Sequence, residues 1–418
     1  MAYNLANQIS RDTSQDPTHV YVDLDVVNST SIAPEPMVFQ QQRGNHFLNK
    51  ANDYYVSCVR WNMLSSLPLI VPLMPEIPLE TPYLPALART RYAINIGYGI
   101  PNLVNLELSS LIFPIEPQYV RFIPENQYLD PPARYYATQS QYLDNPYFYI
   151  QNVQTMLDLI NTAIQEQLAL FVPPLPSAAG VTAPFFTFDS VSGLFNIFAD
   201  TNWIVRSSDI IVPQVNRYFL TMNTALYQLL KGFTNVCAGF SQTVTDQAQN
   251  FVLRLADSGA SLNTITARSP PSPAEYNNVV LYNFVQQANS LVAWSPVQSI
   301  LFTTTMLPVN PTNVGTPSVL GSVSSINVAG GSNNNISNTL TDFELPLTRG
   351  TEICQGILYY SPTSEYRLFD LLSDQPLSTI NIAAYWKDRY GFKHTYFLEP
   401  TGSASLKILF RKKDFNGI

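Results

Sequence analysis

Apolar positions along most of this chain recur with a period of two, and in one stretch with a period near 3.6, so the pattern predicts strands with a few helices. Over 20–26, Val20, Val22, Leu24 and Val26 alternate with Tyr21, Asp23 and Asp25, as in a strand with one buried face. A second strand is predicted over 54–63, with Val56, Cys58 and Arg60 on one face and Tyr55, Ser57, Val59 and Trp61 on the other. It ends at Leu67-Pro68, because proline cannot donate to a central ladder. The stretch 63–87 carries Pro68, Pro72, Pro75, Pro78, Pro82 and Pro85; it is expected to run as an extended connector, after which 91–98 resumes as a strand. Between 147 and 170 the period changes: Val153, Met156, Leu157, Ile160, Ile164 and Leu168 share one helical face, and Pro173-Pro174 stops the run. A second helix is predicted over 219–230, with Gly232 as its C-terminal stop. Near the C-terminus, alternation over 380–386, 393–398 and 403–410 is punctuated by Asp388-Arg389-Tyr390-Gly391 and Glu399-Pro400-Thr401-Gly402. This predicts an antiparallel meander whose last strand points Ala404, Leu406, Ile408 and Phe410 inward.

The connecting segments divide the chain. Residues 1–17 are polar and lack an alternating apolar face, which predicts a flexible N-terminal arm. Residues 318–340, centred on Gly330-Gly331-Ser332-Asn333-Asn334-Asn335, read as an exposed loop. The strings Asn161-Thr162-Ala163 and Asn223-Thr224-Ala225, each followed by apolar helical residues, echo one another, as do 91–98 and 378–385. The echoes fit either a duplicated unit or chance likeness among apolar strands. The division expected is 18–215 as a first β-rich domain with one helix and 216–418 as a second with the C-terminal meander.

Composition sharpens this picture. Only 12% of the 418 residues are charged, against about 25% in typical soluble domains. The surface must therefore be polar through amides and hydroxyls, and copies of the chain repel one another weakly. The 32 prolines, 24 tyrosines and 23 phenylalanines favour strands and long loops over helices. The net charge of −8, with one short cationic run at Arg411-Lys412-Lys413, argues against direct nucleic-acid binding, which needs clustered cations. The proline-broken 63–87 stretch is not a membrane span, and residues 1–10 lack the pattern of a cleavable secretion signal. Cys58, Cys237 and Cys354 lie far apart and are odd in number, which predicts neither a disulfide framework nor a zinc site and suits a reducing compartment.

Candidate chemistry is sparse. His19, His46 and His394 have no ligand-like spacing, and no nucleotide-binding, hydrolase-elbow or zincin motif occurs. Asp23 and Asp25 project from one face of a strand and form the pair best placed to share a divalent cation; the plainer reading is the solvated face of an edge strand. Tyr135, Tyr136, Tyr142, Tyr147, Phe148 and Tyr149 form either a stacking platform for sugar rings or subunit contacts. The expectation is a protein that is not an enzyme, with no catalytic, cofactor-binding or metal site. The rival functions are an attachment or carbohydrate-binding surface module and a β-sandwich hydrolase acting through Asp23 and Asp25.

The segment Glu365-Tyr366-Arg367-Leu368-Phe369-Asp370-Leu371, with Tyr385-Trp386-Lys387-Asp388-Arg389-Tyr390-Gly391 and Ser405-Leu406-Lys407-Ile408-Leu409-Phe410-Arg411-Lys412-Lys413, resembles the C-terminal segment of capsid structural proteins from small eukaryotic DNA viruses. The resemblance implies a mainly β fold of one or two antiparallel jelly-roll sandwiches with a few helices. It further implies a virion protein assembled inside the host cell, whose partners are copies of itself and other capsid proteins.

Overall fold

The structure, a computed structural model, describes residues 17–29, 35–64, 71–73, 89–100, 111–114, 116–121, 148–150, 153–172, 178, 180–206, 215–237, 251–256, 263–266, 280–295, 297–310, 338–344, 357–361, 367–388 and 393–413. Contacts divide the chain into two units. One comprises Met1–Ser66, Val297–Pro346 and Gly356–Ile418; the other comprises Leu67–Pro296 with Leu347–Gln355. A division at 215/216 is therefore not the one the contacts make. The reason is strand pairing, which joins the two ends of the chain in one sheet while a long insertion builds the other unit.

In the first unit, eight strands carry the architecture: β1 His19–Val27, β2 Val38–Gln42, β3 Tyr54–Leu64, β4 Val297–Thr304, β5 Thr339–Glu344, β6 Ile357–Tyr360, β7 Thr379–Asp388 and β8 Ser403–Lys412. They form two antiparallel sheets of order β1-β8-β3-β6 and β2-β7-β4-β5. That interleaving is the jelly roll, in which successive strands alternate between sheets except for the adjacent pair β4-β5. The predicted inward row of β1 holds, with Val22 and Leu24 buried. In β8, Ala404, Leu406, Ile408 and Phe410 are all buried, and the strand is central, between β1 and β3. Trp61 reaches across the sandwich to Phe302 and Phe343, with ring centroids 5.6 Å and 6.4 Å away. Buried aromatics of this size dominate a core.

Three expectations are corrected here. The C-terminal strands are not a meander: β7 pairs with the short strand Lys393–Thr395, but β8 crosses to the opposite sheet. The crossing is pinned where Asn28 donates from Nδ2 to the Leu398 carbonyl at 3.0 Å and exchanges backbone bonds with Thr401 and Gly402. In β3, Trp61 lies on the buried side with Val56, and Arg60 on the opposite side, the reverse of the expected faces, because a register shift at Lys407/Ile408 leaves one extra residue and flips the phase after Cys58. Residues 219–222 are not helical; Arg217–Met222 is a strand buried on both faces.

Among the described residues, the second unit holds two larger sheets and one of two strands. The orders of the larger two are Asn263–Thr266, Val280–Val285, Leu194–Ala199, Phe185–Asp189 and, separately, Asn235–Cys237, Phe251–Leu253, Arg217–Met222, Arg89–Gly99, Gln118–Arg121. Helix α1, Val153–Leu168, buries the predicted face and packs against strands of both sheets. Asn161 stands in for a missing strand partner by exchanging two bonds with the Phe186 backbone, at 2.9 Å and 2.7 Å. The short helix α2, Thr224–Leu229, is capped by Asn223, whose side chain accepts from the Leu226 amide. The echoed Asn161 and Asn223 thus do different work, one inside a helix and one at its cap. Within the proline-broken stretch, Val71–Leu73 pairs with Phe148–Ile150 as a two-stranded sheet. Residues 1–16 and 311–337, which cover the predicted arm and most of the predicted loop, lie outside the described residues.

Candidate functional site

The outward positions of the β1-β8-β3-β6 sheet follow from register. Asp23 lies opposite Lys407, and Lys407 opposite Arg60, so the three form one row across three strands. The Asp23 carboxylate sits 3.3 Å from Lys407 Nζ and 3.6 Å from the Arg60 guanidinium. Those cations occupy the electrostatic position a shared divalent ion would need, while Asp25 lies opposite Ser405. Exposed pairs of this kind contribute about 0.2–1 kcal/mol each, so the row orders the surface more than it stabilises the fold. At the ends of the same face, Tyr21, Val27, Leu64 and Tyr359 are each more than half exposed. Val27 and Leu64 flank Ser403 in one row, and Tyr359 faces Asn62 in the next. The face therefore combines charged, amide and apolar groups, the mix found at protein contacts.

The other sequence candidates are dispersed. His19 and His46 are exposed, whereas His394 is buried and stacked on Trp386 with centroids 4.2 Å apart. Lys413, the end of the cationic run, is held by Asp370 at 2.8 Å and lies 5.2 Å from the centre of the Tyr55 ring. Cys58 is buried, and burial pushes its thiol up to about 12; Cys237 is exposed. Tyr135, Tyr136, Tyr142, Tyr147 and Cys354 lie outside the described residues. Tyr149 pairs with Pro72 through the backbone. Among the described residues, no three metal-ligating side chains are gathered. A surface hollow of about 830 Å³ in the second unit is lined by residues including Tyr227, Lys231, Asn235 and Gln287, and no described lining residue is a carboxylate or imidazole.

One constellation escaped the sequence reading. Lys387, near the end of β7, and Lys393, in the short strand paired with it, lie directly opposite one another. Two lysines flanking the turn residues at 388–391 were the available signal. Lys393 is held below the usual lysine range, first by burial and then by Lys387.

Two interleaved antiparallel sheets packed face to face define the jelly-roll class, the architecture of viral shell and lectin domains. The comparisons select between the two. The profile of the Sputnik minor capsid protein V18/19 family matches residues 20–412, and the chain belongs to that family. Protein V18 of Sputnik virophage is 26% identical over 176 residues, which is 41% of this chain and 93% of that protein. A chain of the Sputnik virophage, solved by cryo-EM at 3.5 Å, superposes with a TM-score of 0.69 at 20% identity, covering 96% of this chain and all (100%) of that one. The crystal structure of selenomethionine-labelled mavirus penton protein gives a TM-score of 0.54 at 13% identity, covering 95% and 100%. The protein is thus a capsid protein and a component of the virion, and its family role is assembly with other capsid proteins. Among the described residues no helix is long and apolar enough to cross a membrane.

Proposed function

We propose that this chain acts without catalysis, as a subunit that joins copies of itself and neighbouring capsid proteins into a closed part of the virion shell. The observation that carries the reading is the set of exposed apolar side chains on the outer face of the β1-β8-β3-β6 sheet, where Tyr21, Val27, Leu64 and Tyr359 stay exposed around the Asp23–Lys407–Arg60 row. Exposed apolar side chains on a sheet face gain when a neighbour removes them from water, by about 25 cal/mol per Å². The low charge content leaves little repulsion to oppose that contact. Direct binding of nucleic acid is not part of this function, since Lys413 and Lys407 already meet carboxylates within the chain.

Light scattering over a concentration series tests the reading. The parent protein is expected to form closed oligomers as concentration rises. The Leu64→Asp, Tyr359→Asp variant is expected to stay smaller at every concentration with an unchanged melting temperature, because both side chains are exposed in the subunit. A parent that remains monomeric at high concentration, alone and with other virion proteins, overturns it.

A further inference from the structure

Strand register places four polar residues in one row on the side of the second sheet that faces away from the jelly-roll core, with Ser299 buried in the row and charged residues on either side of it. Lys393 lies opposite Lys387, Lys387 opposite Ser299, and Ser299 opposite Glu344. The alternate positions fix the direction of these side chains. Trp386 and His394 are buried and stacked on each other, and Ile300 and Phe343 are buried, so Lys387, Lys393 and Glu344 point the other way. The strand Lys393–Thr395 is outermost on one side of this sheet, and β5, which carries Glu344, is outermost on the other. Among the described side chains, none of the ion pairs includes Lys387, Lys393 or Glu344.

Like charges directly opposite one another destabilise a ladder. Both lysines are also half-buried, which adds a desolvation penalty to the repulsion. The isolated subunit thus carries a cost at one edge that an incoming anion would remove, and an exposed carboxylate at the opposite edge. A two-fold dimer would set lysine edge against lysine edge. A head-to-tail arrangement sets the lysines of one copy against the carboxylate of the next, and such heterologous contacts generate rings when the rotation closes.

We propose that Lys387 and Lys393 receive Glu344 of a neighbouring copy of this chain, so that subunits join edge to opposite edge in a closed ring. The inference rests on the assembly reading above. A nucleic-acid phosphate is the weaker occupant, because two cations on a chain of net charge −8 neutralise too few phosphates to hold a duplex.

Three variants test it: Lys387→Ala with Lys393→Ala, Glu344→Lys, and the full exchange Lys387→Glu, Lys393→Glu, Glu344→Lys. Each is measured for melting temperature as dilute subunit and for the concentration at half assembly. The alanine pair should melt at or above the parent temperature, since a repulsion is relieved, yet need roughly tenfold more protein to assemble. Glu344→Lys should assemble still less well, and the full exchange should recover most of the loss. Parent-like assembly of the alanine pair and of Glu344→Lys, with the parent itself assembling, overturns the ring contact and leaves the assembly reading intact. Loss of particle-bound DNA in the alanine pair with assembly unchanged also overturns it, in favour of phosphate. Failure of the parent to assemble removes both.

Discussion

Cys58 sits where β3 changes phase, with Val59 buried beside it and Arg60 turned outward to Asp23. Its raised pKa keeps it a thiol at pH 8, and the thiolate is the reactive form. Site-resolved alkylation of the native protein at pH 8 is expected to modify exposed Cys237 and to spare Cys58 until denaturant is added. Equal native rates at the two would show that the strand opens there. Gly232 makes a sharper demand on the backbone. Its φ of 111° lies in the region that L side chains avoid, and an added Cβ would stand 2.6 Å from the Ala288 carbonyl oxygen. Gly232→Ala is expected to cost about 2 kcal/mol or more, read as a lower midpoint in denaturant unfolding. The sequence reading placed this glycine at a helix stop; the close approach of residue 288 belongs to tertiary packing and leaves no local trace. The phase break in β3 did leave one. Val56, Cys58 and then Val59, Trp61, Met63 are two alternating sets one residue out of step, which is how a bulge is written in a chain.

Periodicity located β1, β3, β7, β8 and α1 because each has one apolar face and one wetter one. It could not choose partners. Turn residues at 399–402 show that the chain reverses before β8, and a reversal serves a hairpin and a sheet crossing equally well. Arg217–Met222 was misread for a related reason: a strand buried on both faces has no alternation, so Tyr218, Phe219, Leu220 and Met222 fit a helix as readily. The position of β8 carries a prediction of its own. It is paired on both sides along its length, and four of its side chains enter the core. Deleting 403–418 is expected to leave a chain without a cooperative melt, because β1 loses the one strand it pairs with among the described residues and the sandwich loses a wall. A truncated protein that melts near the parent temperature would move β8 out of the core.

At the scale of the whole molecule, the resemblance in the C-terminal segment reached the right family of proteins because that segment contributes β7 and β8, central strands of the two sheets. What the sequence hid was the division into units. A boundary drawn along the chain assumes that each domain is contiguous, whereas here residues 67–296 interrupt the jelly roll between β3 and β4. The assembly surfaces were hidden for the same reason: Val27, Leu64 and Tyr359 meet only through the ladder, and Lys393 and Glu344 share a row only once the sheet is folded. The interruption also sets a timetable. A ribosome releases β1, which ends at residue 27, long before the strand that pairs with it, β8, which begins at residue 403. At the usual rate of about 5–20 residues per second, β1 waits roughly 20–75 s for its partner, while residues 67–296, the greater part of the second unit, emerge in one run. The acidic, outward-facing Asp23 and Asp25 then guard a bare strand during synthesis, when a lysine partner has not yet been made and a neighbouring nascent chain is the nearest edge to pair with.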